Sequence, residues 1–86
     1  MTKEKIFTAL KEVILVLRDE GEKFLSDKVF QQECLQKQAA IQQAVKELNS
    51  CDMLWLSEVY EKWFTQEIRP YADKLDPDTK AKLGWH

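Results

Sequence analysis

The sequence predicts an all-α fold, a small antiparallel bundle of three main helices followed by a short C-terminal helix. Apolar residues recur at steps of three and four along most of the chain, which is the spacing of one helical face. β-Branched residues are sparse, and the 86 residues include only two Gly and two Pro, which leaves few positions for tight turns. A chain of this length is expected to form a single helical domain over residues 1–86.

The first helix is expected to begin after Thr2, which can act as its N-cap. Its apolar face consists of Ile6, Leu10, Val13, Leu17 and Phe24. Gly21 allows two interpretations: it can end the helix after Glu20, or it can lie inside a helix that continues to about Leu25, at a cost of about 1 kcal/mol. We favour the continuous helix because Phe24 extends the apolar face.

The second helix is expected to start at Ser26 or Asp27, either of which can be its N-cap. Its narrow apolar face resembles a coiled-coil seam and consists of Phe30, Cys34, Ile41, Ala44, Val45 and Leu48. Lys37 also falls on this face, where it either extends its ammonium group to water or to Glu33, or fixes the register of a helix–helix interface. Six glutamines on the same helix form either a solvated face or a polar contact surface.

The third helix is expected to follow a turn over residues 49–52, with Ser50 or Asp52 as its N-cap. Pro70 lacks a backbone N–H and should interrupt this helix near Glu67. The apolar residues cover an arc of roughly 200°, about twice the width that a core-facing helix needs. They are Trp55, Leu56, Val59, Tyr60, Trp63, Phe64, Ile68, Tyr71, Ala72 and Leu75.

A short final helix is indicated by Asp76 as its N-cap, Pro77 as its first residue and Gly84 at its end. Trp85 and His86 are then expected to form a tail. The predicted core of the bundle consists of Ile6, Leu10, Val13, Ile14, Leu17, Phe24, Phe30, Ile41, Val45, Leu48, Leu56, Val59, Trp63 and Ile68.

The width of the apolar arc on the third helix is the main functional indication in the sequence. Trp63 lies near the middle of the arc and is expected inside the subunit, whereas Trp55 lies at its margin. The residues predicted to contact a protein partner are Trp55, Tyr60, Phe64 and Tyr71. Aromatic side chains are enriched at the centres of protein interfaces. The alternative is that these rings only complete the core of a small bundle.

The residue types for catalysis are scarce. His86 is the only histidine and the last residue, so a Cys34 or Cys51 nucleophile has no positioned His partner. Glu58 and Glu61 lie one turn apart, as metal-binding carboxylates can, but Glu58 also precedes Lys62 at the spacing of a surface ion pair. We therefore predict a protein that is not an enzyme and binds no cofactor or metal.

Charge and hydropathy exclude two classes of partner. The net charge is −2 and the charges are mixed along the chain, so no basic face is available for nucleic acid. No apolar stretch approaches the ~18–20 residues that cross a membrane. The N-terminal residues lack the pattern of a signal peptide, and the two cysteines are predicted to lie too far apart for a disulfide. These features predict a cytoplasmic protein with reduced thiols.

Together these observations favour a non-enzymatic protein–protein interaction module, such as a small acidic adaptor, inhibitor or immunity-type protein. In size, acidity and helical pattern the chain is similar to bacterial immunity proteins, antitoxins and phage-encoded inhibitors, and no motif is shared with them. The alternatives are a helical-bundle enzyme that uses carboxylates and a metal across a dimer, and a small transcriptional regulator.

The apolar surplus also predicts self-association, most simply as a homodimer. One chain of this size has more apolar helix surface than a three-helix core requires. Light scattering at micromolar concentration should give the mass of two chains. A monomer mass that persists at high concentration would contradict the prediction. The extra apolar surface would then belong to the core or contact a different protein.

Overall fold

A computed structural model describes residues 2–85, and within them every regular element is an α-helix. The six helices are α1 (Lys3–Asp19), α2 (Gly21–Ser26), α3 (Lys28–Lys46), α4 (Ser50–Glu67), α5 (Arg69–Ala72) and α6 (Pro77–Leu83). The long helices α1, α3 and α4 are the three main helices of the prediction, and α6 is the short C-terminal helix. The predicted all-α fold is therefore confirmed.

The prediction of one continuous helix from Thr2 to Leu25 is wrong. The helix breaks at Glu20, whose backbone angles (φ −126°, ψ 36°) lie outside the helical region. Gly21 begins α2, and a Cβ atom at this position would lie 3.6 Å from a methyl group of Leu83 on α6. The short helix that follows the break buries Phe24 in the core.

The helix starts at α3 and α4 are fixed by side-chain caps. Asp27 caps α3, as one of the two predicted choices, by accepting hydrogen bonds from the amides of the first turn. Asn49 caps α4 by accepting a 2.8 Å hydrogen bond from the amide of Asp52. The prediction of Ser50 or Asp52 as this cap is therefore wrong, because Ser50 is already helical. Such a cap stabilises a helix by about 1 kcal/mol.

Helix α1 is the element on which the other long helices pack. Helices α3 and α4 each contact α1, α2 packs on α3, and α3 and α4 touch each other little. Every predicted core residue except Val59 is buried or packs against the buried cluster. The fully buried large side chains are Ile6 and Leu17 of α1 and Ile68, which follows α4.

The chain from Pro70 onward folds back on the long helices. Helix α4 ends at Glu67, as predicted, and Pro70 lies in the first turn of α5. Asp76 caps α6, and hydrogen bonds from the hydroxyl and amide of Thr79 lower the pKa of its carboxyl group. Gly84 ends α6 with φ +81°, in the left-handed region that glycine adopts without strain.

The prediction that Trp85 belongs to a tail is wrong. Its side chain is only 7% exposed and is part of the hydrophobic core. The amide of Trp85 donates to the carbonyl of Lys80 at 2.8 Å, and the amide of Gly84 donates to that of Ala81, which together close the end of α6. This closure turns the chain back so that the indole reaches the core. The part of the predicted tail formed by His86 lies outside the described residues.

Removal of the Trp85 indole should destabilise the fold. We expect Trp85→Ala to lower the free energy of unfolding by about 3 kcal/mol, because it deletes a large buried side chain. Urea denaturation followed by circular dichroism measures this change. Leu54→Ala is the control, since Leu54 is 62% exposed and its truncation should change stability by less than about 0.5 kcal/mol. Equal stability of the two variants would contradict the burial of Trp85.

Candidate functional site

Two of the four predicted partner-contact residues, Phe64 and Tyr71, pack against Trp85, and a third, Tyr60, stacks on Phe64. Tyr60 and Phe64 stack with their ring centroids 5.8 Å apart. The indole of Trp85 meets Phe64 and Tyr71 edge-on, at 6.4 Å and 6.0 Å between centroids. Burial raises the pKa of the Tyr60 phenol, and Tyr71 alone of the three predicted residues is exposed, at 36%. Trp85 therefore covers part of the apolar arc of the predicted third helix, for which the sequence indicated no partner within the chain.

The fourth predicted contact residue, Trp55, packs on α1. Its ring is perpendicular to that of Phe7, with 6.0 Å between centroids, and the ammonium group of Lys3 lies 5.0 Å from the indole. Trp55 and Trp63 are both half-buried, and both pack against the hydrophobic core. The role of these aromatic residues in binding a partner stays a prediction.

Most of the exposed large apolar side chains are not among the residues that the sequence predicted to contact a partner. They are Val16, Leu25, Val29, Leu35, Met53 and Leu54, in addition to Tyr71. Val16 could have been found in the sequence, because it belongs to a run of five consecutive apolar residues, 13–17. Consecutive residues of a helix point in directions about 100° apart, so they do not all face one core.

An open groove of about 750 Å³ lies between α1 and α3. Its lining comes from these two helices and from Glu20 at the end of α1. The apolar part of the lining consists of Ala9, Val13, Leu15, Val16, Phe30, Cys34, Ala40 and Ile41. The small side chains of Ala9 and Ala40 contribute one residue to each wall, where they leave room that larger residues would fill. No residue of α4, α5 or α6 is part of this lining.

The charged part of the groove lining is acidic. It contains the carboxylates of Glu12, Asp19, Glu20 and Glu33, and the single ammonium group of Lys37. Asp19 pairs with the neighbouring Arg18 at 3.0 Å. Between residues 2 and 85, the other three carboxylates form no ion pair. Lys37 is exposed and makes no ion pair with Glu33, in accord with the interpretation that its ammonium group reaches water.

A second cavity, of about 550 Å³, lies where α1 and α3 meet the C-terminal helices. Its lining includes Gln38, Tyr60, Arg69 and Trp85. The indole Nε1 of Trp85 is buried and has no hydrogen-bond partner in the described part of the chain. Because this N–H group is buried, a ligand in the cavity could reach it only if the indole moved.

The carboxylates that the sequence raised as metal ligands lie on the surface of α4. Glu58 and Glu61 are both exposed, and no ion pair joins Glu58 to Lys62. Among residues 2–85 there is no cluster of three or more His, Cys, Asp or Glu side chains placed to hold a metal ion. Nor does any helix in this range have the length and hydropathy to span a membrane.

Known proteins do not indicate the function. No family model matches the chain, and neither a curated protein nor a solved structure matches it.

The two thiols occupy different environments. Both cysteines are unpaired, as predicted; Cys34 is buried in the floor of the groove and Cys51 is exposed in the first turn of α4. Burial raises the pKa of the Cys34 thiol, with Glu33 and Glu20 acting in the same direction and Lys37 opposing them. The reactive thiolate of Cys34 is therefore both less populated and less accessible.

We expect Cys51 to react with Ellman's reagent much faster than Cys34 in the folded protein, because only the Cys51 thiol is exposed. The absorbance of the released thiolate should show one fast and one slow phase. Cys51→Ala should remove the fast phase only, and unfolding in urea should make both thiols fast. A single rate for the two thiols in the folded protein would contradict the burial of Cys34.

Proposed function

We propose that the chain is a non-enzymatic protein-binding module that receives part of another protein in the α1–α3 groove. The observation that carries the proposal is the open apolar lining of this groove, with Val16 38% exposed at its α1 wall. Contiguous apolar surface that is left exposed on a small protein is typical of interaction sites. Binding of a partner would remove this surface from water, which is the main favourable term in protein association.

The groove is a better supported site than the aromatic edge of α4. Trp55 packs on Phe7, and Phe64 and Tyr71 pack on Trp85, so these rings already have intramolecular partners. The groove lining has no such cover from the C-terminal helices. The predicted contact residues of α4 form a second surface in the proposal, for which Tyr71 is the most exposed member.

Two adjacent alanines of α3 provide a matched test of the groove. Ala39 and Ala40 are both exposed, but only Ala40 lines the groove. Leucine is a good helix former, so replacing either residue preserves the helix. A leucine at position 40 would fill part of the groove, whereas a leucine at position 39 would add the same apolar group outside it.

We expect Ala40→Leu to weaken capture of the native partner from a host extract, while Ala39→Leu captures it as the unchanged chain does. Mass spectrometry of the captured proteins, with thermal melting of both variants as a control for folding, makes the comparison. Both substitutions should change stability by less than about 0.5 kcal/mol, since both positions are exposed. Equal capture by the two variants would reject the groove as the binding site.

The homodimer is a separate proposal from the groove. Two copies placed groove to groove would bring together two linings that each carry four carboxylates and one ammonium group, and this excess of negative charge disfavours that arrangement. Met53 and Leu54, exposed near the start of α4, are apolar residues available for self-association outside the groove. The cytoplasmic location and the lack of a cofactor stay predictions.

A further inference from the structure

We infer that the partner of the α1–α3 groove is an amphipathic helix whose apolar face is flanked by Lys or Arg side chains. The inference rests on the proposed function, because it names the kind of segment that the same groove receives. It follows from the secondary structure of the walls, the length of the groove and the sign of its charge.

The walls of the groove favour a helix over an extended segment. Both walls are α-helices, whose backbone N–H and C=O groups bond within each helix. An extended segment in the groove would find no backbone partners there for its own N–H and C=O groups. A helix satisfies these groups internally and can present an apolar face to the lining. The groove thus favours a helical partner, whose backbone N–H and C=O groups bond to each other within the segment.

The groove has room for about three turns of such a helix. The wall formed by α1 and the residue after it runs from Ala9 to Glu20, and the wall formed by α3 runs from Phe30 to Ile41. At about 1.5 Å per residue, each wall is about 16 Å long. A partner of this length offers apolar side chains at positions i, i+3 or i+4, and i+7, which is the pattern of known helix-in-groove complexes.

The charge of the lining selects a basic flank on the partner. Glu20 and Glu33 belong to opposite walls, and both act electrostatically on the thiol of Cys34, which lines the same groove. Glu12 adds a third carboxylate that has no ion pair within the described residues, and Lys37 is the one cation of the lining. A Lys or Arg on the partner near Glu20 and Glu33 would meet two carboxylates. This complementarity mainly raises the association rate and the specificity.

Two other occupants fit the groove less well. A second copy in a symmetric groove-to-groove dimer would bring like charges together. A small molecule is usually oriented by a few precisely placed polar groups inside an enclosing pocket, whereas the groove is open and all its charged side chains are exposed. A helical partner needs no such group, because its orientation follows from its apolar face and its flanking charges.

The test uses the full chain and four labelled synthetic peptides of about 14 residues, with binding measured by fluorescence anisotropy. The first peptide carries a leucine face flanked by lysines, and the second carries glutamates in place of the lysines. The third has the composition of the first in scrambled order, and the fourth is the first with a central proline that breaks the helix. We expect the lysine peptide to bind at least about tenfold more tightly than each of the others at low salt.

Two charge-reversed variants with the same net charge separate the groove from general attraction. Glu12→Lys with Glu33→Lys changes the groove, whereas Glu58→Lys with Glu61→Lys changes exposed carboxylates of α4 outside it. We expect the first variant to prefer the glutamate peptide and the second to keep the preference for the lysine peptide. Glu12→Gln with Glu33→Gln, checked by thermal melting, serves if the reversed variant does not fold.

Each other outcome overturns the inference. Equal weakening by the α4 variant would show general charge attraction, equal binding of the proline peptide would reject a helical partner, and equal binding of the glutamate peptide would reject the basic flank. If no peptide binds at concentrations up to about 1 mM while Ala40→Leu still abolishes capture of the native partner, the inference fails and the proposed function stands. If Ala40→Leu leaves both capture and peptide binding unchanged, both fail.

Discussion

Helix α1 has apolar side chains on more than one side, and the other two long helices pack against different parts of this apolar surface. Ile6 and Leu17 are fully buried, and α3 and α4 pack against α1. Since α3 and α4 touch each other little, α1 joins the two parts of the bundle. Two helices do not cover every apolar residue of α1, and Val16 is left at the edge of the α1–α3 groove. The candidate binding site is thus a consequence of how the core is built.

The C-terminal segment decides which apolar surface of the bundle remains open. Gly84 ends α6 in the left-handed conformation, and Trp85 then packs in the core against Phe64 and Tyr71. The ring packs through edge-on aromatic contacts, and its indole N–H is buried without a hydrogen-bond partner among the described residues. Trp85 thus covers part of the apolar arc of the predicted third helix. The α1–α3 groove stays open, and at about 750 Å³ it is larger than the cavity of about 550 Å³ beside Trp85.

The candidate site could be predicted only in part. The sequence contains the run of apolar residues at 13–17 and the narrow apolar face of the predicted second helix, which is α3 in the structure. Both contribute residues to the groove. It also marks Lys37 as unusual, and this residue does line the groove. The sequence does not show which neighbour leaves a given apolar residue uncovered, because exposure depends on the relative placement of α1 and α3. For the same reason the sequence predicted exposed aromatic residues on the third helix, whereas Trp55 and Phe64 pack against other parts of the chain.

The sequence by itself determined the helical fold class, most of the core and several helix ends. These features depend on residues within one or two turns of each other: the cap at Asp27, the proline at position 70 and the glycine at position 84. For Gly21 the sequence left two interpretations, and the structure shows the break at Glu20. Only the tertiary structure decided the burial of Trp85 and the open groove. The physical reason is that burial and exposure depend on contacts between residues far apart in the chain, such as Trp85 with Phe64. Periodicity and local hydrogen bonding carry no information about such contacts.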